Sequence, residues 1–421
     1  MYNGLSLDQA PPISVVLRFF LTVPVFGIAL CVLLFFAPRE VLTPLHPYSL
    51  SAIHLMFLGV MSMSMIGALF QMQSVLGGKP IPAPVGNALI IHTFLTVGTL
   101  SLATAFLWSQ PILFTLASIL LGAAIVYTAN LVLPLLFGGV THDTLRGMRL
   151  ALIALAFTAV LGIVMASSYA SASFGFYHEA VRTSHYSLGL IGWAAALIIA
   201  VAFQVIEMFY VTAPYSRWCK RNAFRVLAAA LVFKIAFAFT GWPYGWIADI
   251  VIAGWLGGFA VTTLKRLSER KRRVSDVSIR FWTVGMALLL IASAAHTASL
   301  FIATATLETL ALFSYALFVL AVILGMMSKI VPFLVWFHLN SAGFMDAPIM
   351  SNVIPASRSK LLFTLFALTA LALLAGCVSG EALAAAGFFG SLMFSVLLYN
   401  LLKALSLYRH TLAHGQRFTF E

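Results

Sequence analysis

Residues 54–80 read HLMFLGVMSMSMIGALFQMQSVLGGKP. From Leu55 to Leu76 the stretch is apolar except for serines and two glutamines. About 20 such residues are enough to cross a bilayer as a helix. Yet it opens on His54 and carries Gln71 and Gln73 near its far end. A helix that only sits in lipid gains nothing from an imidazole, because polar and ionisable groups inside a membrane are costly and mark function by default.

The rest of the chain has the same character. Its 421 residues are 62% hydrophobic and 9% charged, and the mean hydropathy is +1.03. These values exclude an ordinary soluble domain. In lipid only helices or closed barrels satisfy every backbone polar group, and the apolar runs here are continuous rather than short and alternating. The expected fold is therefore all-α: one polytopic membrane domain over 1–421. Twelve spans are predicted, at 14–37, 47–77, 84–108, 110–137, 148–170, 183–213, 224–242, 245–264, 281–303, 306–337, 359–378 and 382–404. Arg18 falls within a full-length span rather than before a short signal core, so no cleavable signal is expected. Cys31, Cys219 and Cys377 have no paired spacing that would suggest a disulfide or thiolate site.

The net charge of +12 is distributed as a topology signal. With the N-terminus inside, the inner loops hold Lys79, Arg146, Arg149, Arg217, Lys220, Arg221, Arg225, the run KRLSERKRRVSDVSIR (265–280), Arg358, Lys360, Lys403, Arg409 and Arg417. The outer loops hold Arg39 and Arg182. This positive-inside bias predicts both termini in the cytoplasm of a bacterial-type inner membrane. The 265–280 run reads as a solvated loop beside lipid, and no nucleic-acid partner is expected.

Three segments align without gaps: IGALFQMQS (66–74), IAVAFQVIE (199–207) and LGMMSKIVP (324–332), at offsets of 133 and 125 residues. The columns pair Ile66/Ile199/Leu324, Gly67/Ala200/Gly325, Gln71/Gln204/Lys329 and Met72/Val205/Ile330, and Gly59 aligns upstream with Gly192. They fall in spans 2, 6 and 10. That spacing predicts three pseudo-equivalent four-helix units, roughly 14–137, 148–264 and 281–404. The small column suits close helix packing. The polar column lies towards the inner ends, where Lys329 either snorkels to the interface or belongs to a relay.

The histidines sort by depth. His54, His185 and His296 lie near the outer ends of spans 2, 6 and 9, with Tyr186 and Glu308 at similar depth. His46 and His178 fall in outer loops, and His92 in the inner half of span 3. His142, His338, His410 and His414 lie at or near the inner surface. Neutral imidazole is a common transition-metal ligand and holds haem iron axially. His54, His185 and His296 are therefore the candidate metal and cofactor ligands, against the plainer reading of interhelical hydrogen bonds, which suffices for His92. Gln71, Gln204, Lys234, Lys329 and Glu308 are candidate polar relay groups. Lys234 needs a partner or a water path, and Glu207 is expected to pair with a cation at the inner edge. The methionines of MSMSM (61–65) repeat at i, i+2 and i+4, which spreads their sulfurs around a helix and suits lipid or packing contacts better than a copper track.

Twelve helices in three arcs, with His54 near the outer end of span 2 followed by Ile66–Gly67, Ser74, Gly78, Pro80 and Pro82, resemble the catalytic subunit of the haem–copper oxidase and nitric oxide reductase superfamily. The resemblance implies that His54 is an axial haem ligand and that His185 lies near a copper-ligand position. It covers the topology of the whole chain, but specific residues only in span 2 and loosely in span 6. Spans 7 and 10 lack that family's histidines, so the resemblance implies a divergent relative without the standard oxygen-reducing centre. The expected cofactors are haem or copper, the expected partners lipid and respiratory-complex subunits or an electron donor. The expected role is redox, gas response or metal and haem handling. A multi-span permease for a small solute is the alternative, although prolines read at span ends favour it less.

Overall fold

A computed structural model describes residues 6–38, 42, 45–137, 143–271 and 276–417. Arg39, His142, Arg272 and Arg273 lie outside the described residues. Among those described, twelve helices are long and apolar enough to cross a membrane: α1 Ile13–Phe35, α2 Pro47–Gly77, α3 Pro84–Trp108, α4 Pro111–Phe137, α5 Asp143–Ser171, α6 His178–Tyr210, α7 Arg217–Thr240, α8 Gly245–Ser268, α9 Val277–Ser299, α10 Ala305–Ser341, α11 Ala356–Ala375 and α12 Ala382–His414. The fold is all-α and the protein is a multi-pass membrane protein.

Each predicted span has its helix, but several helices run past the apolar window. Helix α7 starts at Arg217 rather than 224, α5 at Asp143 rather than 148, and α12 continues to His414. Basic residues extend a helix into the interface without cost, because their stems stay apolar while their charges reach water. His178, expected in a loop, is the first residue of α6. Pro24 lies mid-way along α1 and Pro332 inside α10, so the prolines are not confined to span ends. Local caps fix several starts. His46 accepts from the Tyr48 amide ahead of α2, Ser216 from Cys219 ahead of α7, and Asp276 from Ser278 ahead of α9, each satisfying a donor the helix leaves open.

Helices α2, α6 and α10 are the most buried, with 72%, 72% and 78% of their apolar windows inside the protein. They are the three that carry the aligned segments, and they meet one another. Trp193 of α6 donates to Ser62 of α2 at 3.1 Å, Tyr315 of α10 donates to the Leu190 carbonyl of α6, and the Phe57 and Tyr315 rings lie 6.4 Å apart. The other nine helices surround this core in chain order, and α12 closes back on α1. There a Cβ added at Gly387 would come 2.5 Å from the Cys31 carbonyl oxygen.

The small column has one structural meaning throughout. A Cβ at Gly67 would meet Phe19 of α1 at 2.7 Å, and one at Gly325 would meet Phe281 of α9 at 2.8 Å. In between, the Ala200 methyl packs where a Cβ on Gly147 of α5 would sit, 2.5 Å away. Each central helix thus presses its small residue against the helix preceding it in sequence. Gly59 and Gly192 repeat the pattern against Phe26 of α1 and Ala154 of α5.

Two central helices are not α-helical throughout. Leu55–Ser62 of α2 and Leu188–Ala195 of α6 are π-helical, and 55 and 188 differ by the same 133 residues that align the sequences. Ser62 donates its hydroxyl to the Phe57 carbonyl five residues back. The matching part of α10, 313–320, stays α-helical. Wide turns of this kind are rare and concentrate at functional sites.

Candidate functional site

His54 closes the last α-helical turn of α2 before its π segment, and His185 lies three residues before that of α6. The fold brings these two rings together, with centroids 6.4 Å apart and planes inclined by 32°. His54 stacks on Phe106 of α3 at 5.2 Å, and Phe106 is braced edge-on by Phe114 and Tyr169. His185 lies over Gly162 of α5, where a Cβ would stand 3.0 Å from its Cε1.

Backbone carbonyls orient both rings. Nδ1 of His54 bonds the Leu50 carbonyl at 2.7 Å, and Nδ1 of His185 the Thr158 carbonyl at 2.9 Å. A carbonyl only accepts, so both rings carry their proton on Nδ1 and leave an Nε2 lone pair. No hydrogen bond engages either Nε2 among the described residues. Tying one ring nitrogen to a carbonyl to fix the tautomer is the usual support for a metal-binding imidazole. Two imidazoles facing one first-row ion at about 2.0 Å each have centroids about 6 Å apart, close to the spacing here.

His296 does not join this pair. Its Nε2 lies 3.2 Å from Oδ1 of Asp249 in α8, and the same oxygen accepts from Lys234 of α7. The ammonium also lies 5.4 Å from the Tyr186 ring, beside His185. Lys234 and Asp249 are both buried. A buried ion pair within a bundle is stable when each charge has its counterpart and hydrogen bonds, so the water path considered for Lys234 is unnecessary. The expected three-histidine site is thus divided into an imidazole pair between α2 and α6 and a Lys–Asp–His cluster joining α7, α8 and α9. Among the described residues, no group of three or more His, Cys, Asp or Glu side chains is placed to hold one metal ion.

The relay candidates scatter. Gln71 is buried with Oε1 lacking a partner, Gln204 is half-buried, and Glu308 is exposed in the first turn of α10. Lys329 reaches Asp276 at 2.5 Å rather than snorkelling free. Burial pushes the Asp276 carboxyl up, but the hydrogen bond and charge of Lys329 and two bonds from Ser278 outweigh it, holding it below the usual carboxylate range. Glu207 pairs with Lys220 at 2.6 Å and accepts from the Tyr215 amide. His92 bonds Thr22 of α1 at 2.7 Å, an interhelical contact.

Asp249 and Asp276 were not singled out in the sequence. Asp249 carries a clear signal, a lone carboxylate in the apolar run GWIADIVIAGW (245–255). No family model matches this chain, and no curated protein matches it significantly.

Proposed function

We propose that this multi-pass protein binds a transition metal, copper first, through His54 and His185. The carrying observation is that both rings are fixed by carbonyl bonds at Nδ1 and stand 6.4 Å apart, with no hydrogen bond at either Nε2 among the described residues. Imidazole suits copper, zinc and iron, and a two-imidazole set suits copper(I), which accepts low coordination numbers. An axial imidazole pair also suits haem iron, the other group that the resemblance to haem–copper oxidases suggests. The bound group would supply electron transfer or gas binding. The two rings would hold it through Nε2, with Phe106 stacked on His54 and backed by Tyr169. In this reading the chain is built as three four-helix units in a bacterial-type inner membrane with both termini cytoplasmic, and it serves redox, gas response or respiratory metal handling beside a respiratory complex.

The test is purification from cells supplied with copper and haem, followed by metal analysis and an absorption spectrum. Nitrogen-ligated copper or a Soret band is expected, and that nitrogen-ligated copper or band is lost in both His54→Ala and His185→Ala. Colourless, metal-free protein would overturn the reading.

The Lys234–Asp249–His296 cluster favours a second reading, a proton-coupled permease, since intramembrane charges mark ion and proton pathways. Solute uptake into proteoliposomes, lost in Asp249→Asn with the histidine pair intact, would select it.

A further inference from the structure

A half-open cavity of about 80 Å³ lies between α2, α6 and α10, flanked by α1, α5 and α9. Five methionines line it: Met65 and Met72 of α2, Met148 of α5, and Met326 and Met327 of α10. The whole chain has 15 methionines, so a third of them converge on one space. Among the described residues no charged side chain lines it. Its polar groups are Ser64, whose hydroxyl is spent on the Met61 carbonyl, and Trp282, whose indole N–H points at the Met326 sulfur at 3.3 Å.

Packing alone does not require this composition. Methionine fills irregular gaps through its flexibility, but leucine and isoleucine fill a helix-lined core with better-defined rotamers. The volume exceeds the roughly 30 Å³ share of one water, yet the lining offers water almost nothing to bond. What it does offer is methionine side chains from three helices. Neutral soft donors select copper(I) and similar ions, whereas magnesium and calcium require oxygen. Of the three methionines in MSMSM, only Met65 reaches the cavity. Its partner on the same helix is Met72, seven residues on and therefore on the same face.

We propose that this cavity is a second metal site, taking a soft monovalent cation, copper(I), through methionine sulfur. Met65 is eleven residues beyond His54, about 16 Å along the helix, so the site is separate from the imidazole pair and stands without it.

The test uses full-length protein labelled with selenomethionine and loaded with copper(I) under reducing conditions, in wild type and in the double variant His54→Ala/His185→Ala. Copper-edge absorption is expected to show selenium neighbours in both. Silver(I), a redox-inert probe of the same softness, is expected to bind the folded Met65→Leu/Met72→Leu/Met327→Leu variant at least tenfold more weakly than wild type. Copper surrounded only by nitrogen or oxygen, or no copper in the double variant, would overturn the proposal, as would unchanged silver affinity in the folded triple variant. The spectroscopic arm requires no methionine variant to fold. Loss of copper that follows the histidines alone would support the first site and refute the second.

Discussion

Lys234 and Asp249 neutralise each other inside the bundle, so removing one leaves the other charged and buried. Lys234→Met should lower stability by about 3 kcal/mol. Adding Asp249→Leu should recover most of that, as measured by thermal unfolding in one detergent. A single variant as stable as wild type would mean that water already solvates the pair. Asp276 gives a pH effect of known sign. Its carboxyl is held below the usual range in the folded protein, so its contribution is present above about pH 4 and is lost as pH falls through the lowered value. Asp276→Asn should flatten that acid limb and leave the neutral-pH profile shape unchanged. The sequence exposed the residue scale unevenly. His54, His185 and Lys234 are legible because any polar group in an apolar window needs a reason. Asp249 carried the same signal, but its importance comes from pairing across three helices, which linear spacing does not encode. His296 lies near the end of α9 yet faces Asp249, because position along a helix says nothing about which side of it a residue occupies.

At the scale of elements, the central helices pack through residues with no side chain to spare. Gly67→Val and Gly325→Val would drive a branched side chain into Phe19 and Phe281, and each should cost about 1–3 kcal/mol. Gly254→Ala and Gly258→Ala meet nothing within 4 Å. These should be neutral or stabilising by up to about 1 kcal/mol, since alanine is the better helix former. Equal losses at both sets of positions would contradict the packing described. The twelve helices were legible because 20 apolar residues in a row have one structural solution in lipid. Their ends were less so, since arginine and lysine stop an apolar window without stopping a helix, as at Arg217 and Arg225. The π segments were not legible at all: LMFLGVMS and LGLIGWAA contain no residue that demands a wider turn.

For the whole molecule, the aligned columns coincide with the three most buried helices, and their small residues touch the same relative neighbour. One difference breaks the correspondence, because α10 lacks the π segment that α2 and α6 share. A π turn takes more residues per revolution than an α turn, so each segment leaves the helix above it out of phase by roughly one residue, about 100°. His54 and His185 both lie above such a phase slip, and Gly67 and Ala200 both lie below it. The two histidines are not equivalent positions, since His54 lies 13 residues before Gly67 and His185 lies 15 before Ala200, whereas α10 brings Tyr315 to the Leu190 carbonyl from an unslipped start. Deleting one residue within Leu55–Ser62 should swing His54 away from His185 while Gly67 stays against Phe19. The imidazole pair thus depends on the winding of α2 and α6, so a one-residue change in length can separate the two rings while the packing columns beyond the π segments stay in place.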